Sequence, residues 1–349
     1  MKSAEGRKPS IGGLGAPRRQ PIQVSASGLV ESESLQPGRD LPLLVRPAAE
    51  GVDLADWARA HGDWIRENTR RYGGLLFRGF QVRSASEFEA FIRAISGEVL
   101  RYENRSTPRH RVSGNIYTST EFPPDQSIPL HNEMSYTRPW PLKIWFHCVQ
   151  PAEWGGETPI ADSRKVLSRI SGEIVEAFRR KGVLYVRNYG GGLDLSWQDV
   201  FQTSDRRQVE EFCRTARIEY EWKGKDGLRT RERSQAIAVH PETGERVWFN
   251  QAHLFHFSSL DPEVSSTLES SLGEAGLPRN AYYGDGSPIE SSRLEEIRAA
   301  YALEAVSFPW IAGDILMLDN MLTAHGRRPY RGARQIIVGM AEATRSAGE

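Results

Sequence analysis

His131 and Glu133 stand two positions apart in "IPLHNEMSY", Ile128 to Tyr136. In an extended segment such residues project to one face, with Leu130 and Asn132 on the other. An imidazole and a carboxylate converging this way make half a metal site, although His-x-Glu pairs also occur as plain structural pairs. Far along the chain, "AGDILMLDNMLTAHGRRPYRGARQIIVGMAEA" carries His325 just after a strand-like run and before a Gly-Arg turn. Two histidines and one carboxylate leave three open positions on a metal, the donor set that suits non-haem Fe(II) oxygenases. The same ligands around Zn2+ would activate water in a hydrolase or isomerase, and a non-catalytic binding module is the third reading. Arg334 separates them. A guanidinium at the start of the apolar run "RQIIVGM" needs an anionic partner and grips a carboxylate with two prongs, which water activation does not require.

Other residues invite weaker assignments. Arg105 and Arg109 in "ENRSTPRHR" are candidate anchors for a carboxylate substrate, or solvated loop charges. Asn250 in "VWFNQAHLFH" is a candidate substrate contact, whereas His253 and His256, set among apolar residues, read as core histidines. Asp319 and Asn320 precede His325 and read as braces that orient the ligands.

These residues must be positioned by a scaffold, and the chain has the means. It has 349 residues, 39% hydrophobic and 26% charged, as expected of a globular protein. Forty-five basic residues balance forty-five acidic ones, so no electrostatic case arises for nucleic acid or an anionic membrane. No run has the roughly 18 apolar residues of a membrane helix. The two cysteines, Cys148 and Cys213, form no motif, and a reduced, cytoplasmic protein is expected. The sequence is silent on oligomeric state.

Residues 1–37 are expected to be a mobile tail, and 38–349 a single domain. One helix is expected over Asp53–Tyr72, stopped by Gly73 and Gly74, and another after the capping box Ser84–Glu87. Further helices are expected at Glu173–Lys181, Arg207–Arg214 and Pro262–Leu272, the last capped by Asp261, and one from the Ser292–Glu295 capping box to Ala302. Strand-like runs include "IPLHNEMSY", "LKIWFHCVQ", "GVLYVRNY", "ERVWFNQ", "DILMLDN" and "RQIIVGM". Strands outnumber helices without strict alternation. The fold class expected is therefore mainly β (α+β), an antiparallel core with helices packed outside.

Four segments in order, "LHNEMSYT", "GGETPIADSR", "RVWFNQAHLFH" and "GDILMLDNMLTAHGRRPYRGARQIIV", resemble the taurine dioxygenase (TauD/TfdA) family of Fe(II)- and 2-oxoglutarate-dependent oxygenases. The likeness runs from about Gly73 to Met340 and is nearest the His-x-Glu branch of clavaminate synthase and SyrP-like amino-acid hydroxylases. The resemblance implies a double-stranded β-helix, or jelly roll, with flanking helices. It implies Fe(II) on His131, Glu133 and His325, with Thr158 and Arg334 on the distal carboxylate of 2-oxoglutarate and O2 as oxidant. It further implies hydroxylation of an unactivated C–H bond in an amino acid or derivative, free or tethered to a carrier protein, with release of succinate and CO2; desaturation and cyclisation use the same machinery. Val338 stands where sulfonate-using members carry a second arginine, so taurine-like substrates are not implied.

Overall fold

The computed structural model describes residues 28–101, 110–120, 122–137 and 139–344. Arg105 and Arg109 lie outside them. The largest element is an eight-stranded sheet. Its strands run, in spatial order, Val30–Gln36, Arg39–Pro47, Gly74–Phe77, Ile315–Asp319, Trp140–Gln150, Gln335–Thr344, Ile116–Thr118 and Arg111–Ser113. All neighbours are antiparallel except Arg39–Pro47 with Gly74–Phe77.

Both faces of this sheet are covered, and the period of two shows it. Trp145, Ile315, Met317, Leu75, Phe77 and Ile337 pack on one side with Trp57, Ile65, Phe88 and Phe91 from three helices, Leu54–Ala60, Gly62–Tyr72 and Ala85–Ser96. Their neighbours Ile144, Phe146, Leu316, Leu318, Ile336 and Val338 face the other way, into a cluster with Ile160 and Trp310. There lies a three-stranded sheet of Ile128–His131, Thr323–Arg327 and Ile160–Asp162. The rings of Phe146 and His325 approach to 4.9 Å across the gap. A four-stranded sheet (Glu219–Lys223, Gly227–Ser234, Val183–Tyr189, Arg279–Tyr283) packs Val183, Tyr185, Ala281 and Tyr283 in one cluster with Leu130, Ala161 and Ala324 of the three-stranded sheet, and holds a second cluster around Tyr189 and Leu228. The fold is mixed α/β, with strands supplying the core and helices flanking it. Among the described residues no helix is long and apolar enough to cross a membrane.

Several elements depart from expectation. The expected tail reaches residue 37, but Val30–Gln36 is a strand paired with Arg39–Pro47. Its side chains are exposed or half-buried, so "VESESLQ" carries no hydrophobic signature. The single helix over 53–72 is two helices, broken at His61 (φ −125°, ψ 26°), whose Nδ1 meets the Trp57 carbonyl at 2.7 Å. The last helix starts at Ser291, ahead of the expected cap Ser292, and no side chain caps it. Pro262–Leu272 forms as expected, Asp261 accepting from the Glu263 amide.

Candidate metal centre

His131 closes one short strand and His325 sits mid-way along its partner, directly opposite in register. Their rings lie 4.6 Å apart between centroids. Gly326 makes that approach possible, because a Cβ there would stand 2.6 Å from the Ile128 carbonyl oxygen. Glu133 arrives differently from the expectation. The strand ends at His131, and the next residues form a turn in which Met134 adopts φ +56°. The turn carries the carboxylate round to the same point, with Oε2 3.7 Å from His325 Nε2. One donor atom from each of the three residues lies within 4.8 Å of the others.

The turn is held by Asn320. Its Oδ1 accepts from the Glu133 amide at 2.7 Å, while Nδ2 donates to the carbonyls of Glu133 (2.9 Å) and Pro141 (2.8 Å). Asn132 reaches back to the Asn320 carbonyl at 2.7 Å. Asp319 anchors the segment from beneath. It accepts from the Met321 and Leu322 amides, from Lys143 Nζ at 2.7 Å, and from His240 Nε2 at 3.0 Å. The Glu242 and Thr243 amides donate to His240 Nδ1, which places the ring proton on Nε2. Burial alone would raise the Asp319 carboxyl, but the Lys143 ammonium and His240 hold it well below the usual carboxylate range.

The donor set fits a divalent transition metal. Nδ1 of His131 donates to the Pro129 carbonyl at 2.8 Å, which fixes the tautomer and presents Nε2 as a lone pair. Two imidazoles and one carboxylate on one side of a shared point match Fe(II) with open positions.

His131 and His325 line an open pocket together with Thr158, Arg327, Arg334, Ser119, Phe146, Ile336 and Val338, with Glu133 just behind them. Arg334 Nε donates to the Gly156 carbonyl at 2.9 Å, and no acid pairs with the guanidinium among the described residues. Burial, then the charge of nearby Arg327, pushes its pKa down to about 10, so it remains a cation at neutral pH. Thr158 accepts from the Trp310 indole N–H at 3.2 Å, which turns its own hydroxyl proton toward other acceptors. Gly156 adopts φ +74°, and a Cβ there would meet Arg334 Cδ at 2.9 Å. Gly156→Ala should therefore push Arg334 aside and raise the half-saturating 2-oxoglutarate concentration about tenfold, a loss of about 1.4 kcal/mol, with metal affinity unchanged in calorimetric titrations.

Asn250 is not in the lining of this pocket. It is fully buried, donates to the Ala236 carbonyl at 2.9 Å and accepts from the Ala252 amide at 3.0 Å, so it braces a turn. His253 and His256 are core histidines. His253 Nε2 bonds the Leu130 carbonyl at 2.9 Å, behind the metal strand. Burial pushes His253 down to about 4 from an ordinary 6.5. Between those values the unfolded chain takes a proton the folded one refuses, so the contribution is full above about pH 6.5 and lost by about pH 4. Urea unfolding of the metal-free protein should show this fall, up to about 3 kcal/mol from His253; His253→Gln should flatten it. Trp310, Ser119 and Arg327 carried no assignment from sequence. Only Arg327 left a signal, two positions past His325 on one strand.

Fold and site together define a non-haem iron oxygenase that draws on a keto acid, and the chain belongs to the taurine catabolism dioxygenase TauD, TfdA family, whose model matches residues 35–341. It is 43% identical over 278 residues to the dapdiamide synthesis protein DdaC of Enterobacter agglomerans, covering 80% of this chain and 84% of that one. It is 32% identical to a clavaminate synthase-like protein from Arabidopsis thaliana, covering 77% and 82%. Among solved structures it superposes on PvcB of Pseudomonas aeruginosa with a TM-score of 0.56 at 16% identity, covering 93% of this chain and 97% of that one. The zinc and binding-module readings fall away with this membership.

Proposed function

We propose that this enzyme hydroxylates an unactivated C–H bond of an amino-acid-derived small molecule in a biosynthetic pathway, consuming 2-oxoglutarate and O2. The observation that carries it is the convergence of His131, Glu133 and His325 beside a pocket that also holds Arg334, a cation with no acid paired to it among the described residues. We read the two facing sheets as a double-stranded β-helix. His131, Glu133 and His325 would hold Fe(II), which would supply the oxidising chemistry with the keto acid. Arg334 and Thr158 receive the distal carboxylate, the first as a cation and the second as a hydroxyl donor steered by Trp310. Ile336, Val338 and Phe146 line the pocket with apolar surface that excludes water. The biosynthetic setting is supported by relatives named for dapdiamide synthesis and for an isonitrile synthetic pathway.

The test is spectroscopic. Anaerobic addition of Fe(II) and 2-oxoglutarate should give a visible charge-transfer band, absent in His131→Ala. Air should then yield succinate, faster with the true substrate. A wild-type protein that shows neither band nor succinate overturns the reading.

A further inference from the structure

Arg327 shares the pocket with Arg334 but is held quite differently. Its side chain is about 5% exposed. Nη1 donates to the Phe122 carbonyl at 2.9 Å, and Nη2 to the carbonyls of Pro123 and, at 2.7 Å, Gln126. The guanidinium lies over the rings of Phe122 and Tyr330, 5.8 and 5.2 Å from their centroids. Three carbonyl oxygens and two rings offset part of its desolvation, yet none carries a charge. Asp125 acts on it electrostatically but forms no ion pair with it, and Nε is buried with no hydrogen-bond partner. One donor of a buried cation is therefore left over in a pocket built for reaction.

This step rests on the proposed function and extends it by matching charges. Glu133 and the keto-acid carboxylate of 2-oxoglutarate together answer the two charges of the metal, and the distal carboxylate answers Arg334. Arg327 remains. We propose that Arg327 recognises a free carboxylate on the substrate through Nε, so that the substrate enters as an acid and not as a thioester or ester at that position. The three carbonyl contacts hold the guanidinium in place and tie residues 122–126 to the strand that bears His325.

The experiment compares wild type, Arg327→Gln and Arg327→Lys with N-acyl amino acids as free acids, methyl esters and pantetheine thioesters. Two readouts are taken: succinate release, and the thermal shift each compound gives the metal-free protein with 2-oxoglutarate present. Wild type should respond to acids at least tenfold more strongly than to esters or thioesters of the same compounds. Arg327→Gln should lose that preference, and Arg327→Lys should keep part of it, while the anaerobic 2-oxoglutarate band titrates within about threefold of wild type in all three. Equal responses to acids and thioesters in wild type overturn the proposal. So does an Arg327→Gln protein that weakens for acids and esters alike, which marks a purely structural tether. If Arg327→Gln does not fold, the Arg327→Lys comparison decides, because a variant with no acid preference left overturns the assignment. A missing band in wild type counts against the proposed function itself.

Discussion

Arg334→Ala should raise the half-saturating concentration of 2-oxoglutarate by about a hundredfold or more while leaving the iron requirement within a few-fold of wild type. The reason lies in the setting of the guanidinium. It is half-buried and partly desolvated, its Nε is spent on the Gly156 carbonyl, and among the described residues no carboxylate pairs with it. Removing one partner of a buried charge pair typically costs about 2–5 kcal/mol, and a hundredfold change corresponds to about 2.7 kcal/mol. His131, Glu133 and His325 are supported from other elements, so the metal site does not depend on Arg334. Separate anaerobic titrations of iron and keto acid, followed by the visible band, measure the two requirements. A parallel rise in both would mean that the pocket had collapsed, and the clamp reading would fail.

Asp319→Ala should be the most damaging substitution for the fold. The carboxylate is fully buried and satisfies Lys143, His240 and two backbone amides at once. Lys143 is itself about 2% exposed, and its other acid, Glu342, lies 3.9 Å away. Truncation leaves a buried ammonium short of its main partner, a loss of about 3–5 kcal/mol. Because the Asp319 carboxyl is held below its ordinary range, its contribution stands above the unfolded pKa and is lost only as pH falls through the lower folded value. Urea melts at neutral pH give the size. A difference below 1 kcal/mol would show that the network adds little. Iron affinity should fall as well, since Asn320, next in sequence, holds the Glu133 turn.

Those two residues show how much of the site could be read without coordinates. The convergence of His131, Glu133 and His325, with Arg334 in the adjoining pocket, was legible because metal and anion chemistry restrict residue type so severely. The path by which Glu133 arrives was not. Alternation along a strand would suffice to bring it beside His131, but the strand stops at His131 and Met134 takes a left-handed conformation, which no local pattern announces. Trp310 was invisible for another reason. Its bond to Thr158 joins residues 152 positions apart, and an indole among apolar neighbours looks like any core tryptophan. The outer strand Val30–Gln36 carries mostly exposed polar residues, so only its pairing identifies it. The break at His61 falls inside a helical periodicity that continues across it.

The position of Gln335–Thr344 has a consequence for how the molecule is made. This segment is synthesised after every other strand of the large sheet, yet it lies inside that sheet, between Trp140–Gln150 and Ile116–Thr118. A nascent chain that has not yet passed residue 335 must leave a slot with two unsatisfied edges flanking it. Arg334 enters with the same segment, so closure of this sheet and the cosubstrate grip proposed for Arg334 would become available together. Interrupted chains would emerge with open edges and no grip, which makes them substrates for chaperones rather than weakened enzymes.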